Sequence, residues 1–253
     1  MNDFFAVFSA ELLKAKRSLL LKVSLAVPAG IMLFEWISAL QRNSLGIRLG
    51  VNFWSAISEH ISRIWIFLLF PLLITLQTAL IGELDYREGT WKVVCSQPKK
   101  RWMVVAAKQC LAVLAAFISL ICLLLCLLLF GFSLGILKPE FQVNAYIPLA
   151  ELGWFFFAPF VISLLVISFQ TWVSLNWGNF IVSCSTGITL TLVALFLFDH
   201  EYSRFFPWSF PGLGLYRLID GKPVNDLVYL SLALCAGVTL AANLWLSNKQ
   251  VDS

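Results

Sequence analysis

The chain has 253 residues, with 60% hydrophobic and 13% charged residues and a mean hydropathy of +0.85. Soluble domains are nearer half apolar and a quarter charged, so this composition excludes a soluble enzyme, a disordered chain and a nucleic-acid module. The net charge of +4 is too small to point to a polyanion, so no nucleic-acid partner is expected. What remains is an all-α integral membrane protein with little mass outside the bilayer.

In chain order, residues 1–17 read as an amphipathic helix. Phe4, Phe5, Phe8 and Leu12 share a face, with Ser9, Glu11, Lys14 and Lys16 polar between them. Such a helix lies in the inner interface before the chain turns into the membrane. The alternative is a plain helical extension of the first span.

A bilayer core of about 30 Å needs roughly 20 apolar helical residues. Six stretches qualify: 18–40, 64–82, 104–135, 152–176, 180–198 and 227–247. The fourth and fifth form one uncharged run over 152–198. As a single helix it would reach roughly 70 Å, so it must turn, and Asn176, Trp177, Gly178 and Asn179 are its only cluster of turn formers. These long runs do not alternate, which excludes an outer-membrane barrel.

With both termini inside, eleven of the eighteen Lys and Arg residues lie on the inner side and seven on the outer side. The positive-inside rule therefore sets the orientation as N-in and C-in. Trp36, Trp54, Trp65, Trp154 and Trp208 then fall near the outer boundary, and Trp91, Trp102, Trp172, Trp177 and Trp245 near the inner one.

Between the spans, 41–63 reads as an outer loop and 83–108 as the main cytoplasmic element. Residues 199–226 form a second outer loop. Its Phe205–Gly214 stretch is apolar, aromatic and broken by Pro and Gly, so it either re-enters the membrane or lies on the headgroups. Glu35 is the one acid well inside a span. It is expected to snorkel or to pair with Arg42 or Arg63. Lys22 reads as a snorkelling cation at the inner end.

Ser183, Gly187 and Thr191 recur every four residues in the fifth span, a small-residue stripe that lets helices approach closely. Gly131 and Gly135 form a second such pair. The stripe is expected to pack helices, and more sharply to form a face between two copies or two subunits. Gln77, Thr78, Gln170, Thr171 and Ser174 offer a polar path.

No reactive constellation emerges. The phosphate-cradling G-x-x-x-x-G-K-[ST] is missing. His200 and Glu201 begin like a zinc-protease motif, but Arg204 stands where the second ligand belongs. No catalytic residue, metal site or resident cofactor is assigned. The six cysteines lie mostly in apolar stretches and read as free thiols.

Residues 83–108 carry an acid after span two, then Gly-Thr, then a Pro followed by basic residues and a Lys at the start of span three. These are Glu83, Gly89, Thr90, Pro98, Arg101 and Lys108. The pattern resembles type-2 ABC exporter permeases. Glu88-Gly89-Thr90-Trp91-Lys92 looks particularly like the permeases of lantibiotic immunity and related peptide-antibiotic exporters. The amphipathic elbow, the six spans and the apolar segment before span six are similar in layout.

The resemblance implies an ATP-driven exporter of a hydrophobic or peptide antibiotic, or a similar amphiphile, in the bacterial inner membrane. The chain would be no enzyme itself, because ATP and Mg would bind a separate cytoplasmic ABC ATPase. It further implies that Glu83, Asp85, Arg87, Glu88, Gly89, Thr90, Trp91 and Lys92, within a coupling segment at 83–101, dock on that ATPase. A second permease, identical or not, would complete the transporter, with spans one and five at the shared interface. Export of lipid, polysaccharide or an ion, and a non-transporting scaffold, sensor or assembly factor, remain the alternatives. An ion-coupled carrier fits less well, since the sequence shows no internal repeat and no midplane charge.

Overall fold

The computed structural model describes residues 2–16, 18–41, 52–86, 101–138, 143 and 146–248. The described residues are all-helical, with no strand. Helix α1 (Asn2–Lys16) is followed by α2 (Leu19–Gln41). Then α3 (Phe53–Ile64) runs through a π turn (Trp65–Leu69) into α4 (Phe70–Tyr86). Next come α5 (Arg101–Leu137), α6 (Leu149–Trp177) and α7 (Phe180–Leu197). Two 3-10 turns, Glu201–Phe205 and Pro207–Ser209, lead to α8 (Phe210–Ile219) and α9 (Asn225–Asn248). Six helical stretches among the described residues are long and apolar enough to cross a membrane.

Three ends follow local chemistry. The Asn52 side chain accepts from the Trp54 amide and opens α3. Gly178, at φ 58°, closes α6 in the left-handed conformation that a glycine adopts without a Cβ penalty. Asn179 then caps α7 through the amides of Ile181 and Val182. The turn expected between spans four and five is thus made by the residues that the sequence singles out.

Residues 53–63 are a correction. They were expected in an outer loop but belong to a helix continuous with span two. Ser55, Ser58, Glu59, His60, Ser62 and Arg63 hide this helix from a hydropathy reading, while Phe53, Trp54, Ser58, Ile61 and Ser62 turn its buried face inward. From Phe53 to Tyr86 the continuous helix rises roughly 50 Å at 1.5 Å per residue, and the 37 residues of α5 rise about 55 Å. Both exceed a 30 Å hydrocarbon core. The two long helices meet at their outer ends. Gly131 leaves the space that the Trp54 ring occupies, and Trp54 Nε1 donates to the Val143 carbonyl at 3.2 Å.

Trp54, Trp65 and Trp208 are therefore core residues rather than members of an outer belt, being 0%, 0% and 5% exposed. Trp154 on the outer side, and Trp102, Trp177 and Trp245 on the inner, are exposed as a belt requires. Trp91 lies outside the described residues.

The other helices pack as neighbours of α5 and α6. Helix α2 lies on α5; α4 lies against α6 and α7; α9 and α8 both lie along α6. Between α7 and α9 the chain folds back into the bundle. The Trp208 ring sits 5.3 Å, centroid to centroid, from that of Phe169, which lies twenty residues from the outer start of α6 and eight from its inner end. Helix α8 returns with Gly212 against Phe67 and Gly214 against Ile162. Cys110, Cys122, Cys126, Cys184 and Cys235 are free thiols; Cys95 lies outside the described residues.

A Cβ at Gly131 would overlap the buried Trp54 ring, whereas one at Gly237 meets nothing within 4 Å. Gly131→Val should therefore destabilise the protein by about 1–3 kcal/mol, as overpacking does. Gly237→Val should stay within about 0.5 kcal/mol, as substitutions in open space do. Thermal unfolding of the two variants in one detergent checks the contrast.

Candidate functional site at the inner end of the bundle

Helix α1 presents only part of its aromatic face to the bundle: Phe8 and Leu12 pack against the core half-buried. Phe5 is exposed, and the face that packs inward is Val7, Glu11 and Ala15, one residue per turn. Glu11, expected on the polar side of the helix, is buried. Its Oε2 accepts from Lys108 Nζ at 2.9 Å and its Oε1 from Lys14 Nζ at 2.7 Å. The Glu11 and Lys108 side chains are 4% and 1% exposed. Lys108 Nζ also lies 3.5 Å from the Ile81 carbonyl of α4, a long and weak contact.

Three elements thus converge at one buried ion pair: the elbow helix, the last turns of α4 and the second turn of α5. Removing either charge from water costs several kcal/mol, and the pair is tolerable only because its members satisfy one another. The sequence pointed to Lys108 through a motif and to Glu11 not at all. A usable signal existed, since Glu11 stands midway between Val7 and Ala15 on one helical stripe.

Next to this pair, α4 and α6 approach closely. A Cβ on Gly82 would overlap Ser174, whose Oγ donates to the Thr78 carbonyl at 2.6 Å. The following residue is Glu83, which with Asp85 occupies the final turns of α4. Arg87, Glu88, Gly89, Thr90, Trp91 and Lys92 lie outside the described residues, as does Pro98. Arg101 is the first residue of α5. The structure therefore fixes where the expected coupling segment leaves the bundle and where it returns.

Ser183, Gly187 and Thr191 do line one face of α7 and are buried, but the residues covering them belong to this chain. A Cβ at Gly187 would overlap Thr75 of α4. Gln170 Nε2 of α6 donates to the Ser183 carbonyl at 2.7 Å. Thr191 Oγ1 turns back to the Gly187 carbonyl at 2.8 Å. Spacing identified a close-packing face correctly, and within this chain α4 and α6 pack on it.

The polar residues expected along a path instead tie helices together. Gln77 Nε2 donates to Ser24 Oγ at 2.8 Å, Ser119 Oγ at 2.9 Å and the Ala115 carbonyl at 3.3 Å, joining α2, α4 and α5. Thr78 and Thr171 bond to carbonyls one turn back, at Ile74 and Ile167. Gln77 Oε1 and Gln170 Oε1 are buried without a hydrogen-bond partner. Glu35 has a neighbour that the sequence did not suggest. Its carboxylate lies 3.4 Å from His60 Nε2, while Arg63 engages Glu59 at 2.6 Å and Arg42 is outside the described residues. The polar stripe of α3 carries His60 to Glu35, a contact invisible while residues 41–63 read as a loop. No cluster of three metal-ligating side chains occurs among the described residues.

The fold defines a multi-pass membrane protein whose elbow helix is anchored beside the two helices that flank residues 87–100. Residues 7–198 match the family model described as ABC-2 family transporter protein, and the chain belongs to that family. The match runs from the elbow helix to the end of α7. No curated protein and no solved structure matches the chain. Membership makes it a transmembrane permease of an ABC transporter, a transport subunit that partners an ABC ATPase and dimerises.

The burial of Glu11 and Lys108 has a measurable consequence. Glu11→Leu and Lys108→Met should each destabilise the protein by about 3 kcal/mol, because each takes the oppositely charged partner from a buried group and leaves it only its weaker contacts. The double variant should recover most of that loss, since both charges go together. Thermal unfolding of all four proteins in one detergent closes the cycle.

Proposed function

We propose that the chain is the membrane subunit of an ATP-driven exporter that moves a hydrophobic or peptide antibiotic of the lantibiotic type, or a similar amphiphile, out of the bacterial inner membrane. The observation that carries the reading is the convergence of Glu11, Ile81 and Lys108. Residues 87–100 connect α4 to α5, and at their bundle ends these two helices are joined to the elbow through one buried pair. A push on the connecting segment is thereby delivered to α1, α4 and α5 together.

In this reading the segment from Glu83 to Lys92 seats in a groove of a cytoplasmic ABC ATPase. Its charges set register and Trp91 supplies apolar contact. Closure of the ATPases around ATP and Mg displaces the segment, and two permease bundles shift against each other to release the amphiphile outward. The substrate class rests on the resemblance of the Glu88–Lys92 stretch. The apolar composition supports it, because such a bundle meets cargo that already partitions into lipid. The folded-back stretch 201–219 serves as an outer plug within the membrane depth, its backbone shielded by α6 and α7.

The tests separate coupling from a merely positive loop. Glu83→Ala and Gly89→Leu should leave the protein inserted and stable. Substrate-stimulated ATP hydrolysis of the reconstituted complex and cellular resistance to the exported compound should both fall several-fold. Lys138→Ala, at the outer end of α5, should leave both unchanged. Full stimulation and full resistance in both cytoplasmic variants would remove the coupling role. The purified chain by itself should not turn over ATP, because it lacks a phosphate-binding loop. Turnover that tracks the chain through purification would contradict the division of labour.

A further inference from the structure

We infer that the outer half of the bundle carries a binding groove for one acyl chain of a phospholipid, between α5 and α6. A hollow of about 340 Å³ is bordered by Phe117 and Leu124 of α5 and by Leu149, Gly153 and Phe157 of α6. A second hollow of about 90 Å³ adjoins it, sharing Leu124, Leu149 and Gly153 and extending to Leu128. All the residues lining both are apolar or glycine. Gly153 is the reason for the space: a Cβ there meets nothing within 4 Å, so α6 presents bare backbone where a side chain would otherwise fill the gap.

Dimensions and lining identify the occupant. From Phe117 to Leu128 the groove follows eleven residues of α5, about 16 Å of rise. That is close to half of a 30 Å hydrocarbon core, the depth of one leaflet. The Phe117 ring lies 5.7 Å from that of Phe160, which also meets Phe70, in the middle stretches of α5, α6 and the continuous α3–α4 helix. The groove therefore lies in the leaflet away from the elbow helix, the outer leaflet of an N-in chain.

Water is a poor occupant of so apolar a space, whereas a cavity of about 150 Å³ lined by Leu, Ile and Phe already takes benzene. A transmembrane helix is too thick. The two volumes together, spread over that length, give a cross-section of about 27 Å², against roughly 80 Å² for a helix 10 Å across. An extended alkyl chain is the apolar ligand that is thin and long enough. Leu125 and Leu129, half or more exposed, continue α5 beyond the groove as an open apolar surface, and Trp154 stands half-exposed at its edge. Phospholipid from the surrounding leaflet therefore has direct lateral access. The inference does not depend on the identity of the exported compound.

The test uses the full chain in vesicles of phosphatidylglycerol doped with a phospholipid bearing a diazirine midway along one acyl chain. After illumination, labelled residues are mapped by mass spectrometry. Labelling should concentrate on the groove residues of α5 and α6, well above that on the exposed face of α9 at Leu240 and Leu244. Gly153→Phe should fill the groove and reduce its labelling about tenfold, the loss expected when two or so methylenes are displaced. Labelling of α9 should not change, and Gly153→Leu serves if the larger variant does not insert. Equal labelling of α9 and the groove would reduce the site to ordinary annular lipid and overturn the inference. So would unchanged groove labelling in both Gly153 variants, or labelling by a headgroup-free alkyl diazirine but not by the phospholipid.

Discussion

A charge in hydrocarbon is tolerable only when the protein itself answers it, and the Glu11–Lys108 pair is where this constraint organises the molecule. Neither residue would be stable alone at so little exposure. Together they fix α1 to α5 and bring α4 within reach through the Ile81 carbonyl. The elbow helix is weakly amphipathic by sequence and would otherwise be free to lie anywhere in the interface. The pair gives it one register. It also turns the elbow so that Val7 and Ala15 are buried and Phe5 is left outward, towards lipid.

Above that anchor the bundle is held by two kinds of contact. Small residues allow close approach: Gly82 to Ser174, Gly187 to Thr75, Gly131 to the Trp54 ring. Hydrogen bonds from buried amides cross between helices, most fully at Gln77, which reaches α2 and α5 from α4. Helices in lipid gain no hydrophobic attraction for one another, so packing and interhelical hydrogen bonds must supply the specificity. Within the chain the small residues of the Ser183 stripe serve these internal contacts.

The same economy shapes the outer half. The α3–α4 helix and α5 are longer than α7, and 201–219 folds back against α3, α6 and α7 with Trp208 reaching Phe169. Aromatic side chains that composition would assign to a membrane interface are used as core. Where such filling stops, at Gly153, the structure leaves an apolar groove of one leaflet's depth.

Much of the fold was legible in the sequence. Six apolar runs of bilayer length, the Asn176–Asn179 turn and the elbow before span one are properties of composition and local propensity, and 83–108 stands out by its charge. Relationships between helices were not legible. Spacing marks Ser183, Gly187 and Thr191 as one face but carries no information on which helix covers it. Hydropathy averages away α3, because half of its residues are polar and its burial is one-sided. Glu11 looks like surface charge until Lys108, 97 residues away, is placed beside it. The sequence by itself determined that this chain is a six-span membrane protein with a charged segment between its second and third spans, since the cost of burying polar backbone and charge in lipid falls on each residue separately. Tertiary structure alone decided which charges are paired, which small residues are used inside the chain and where the outer groove lies, because these depend on side chains brought together from distant helices.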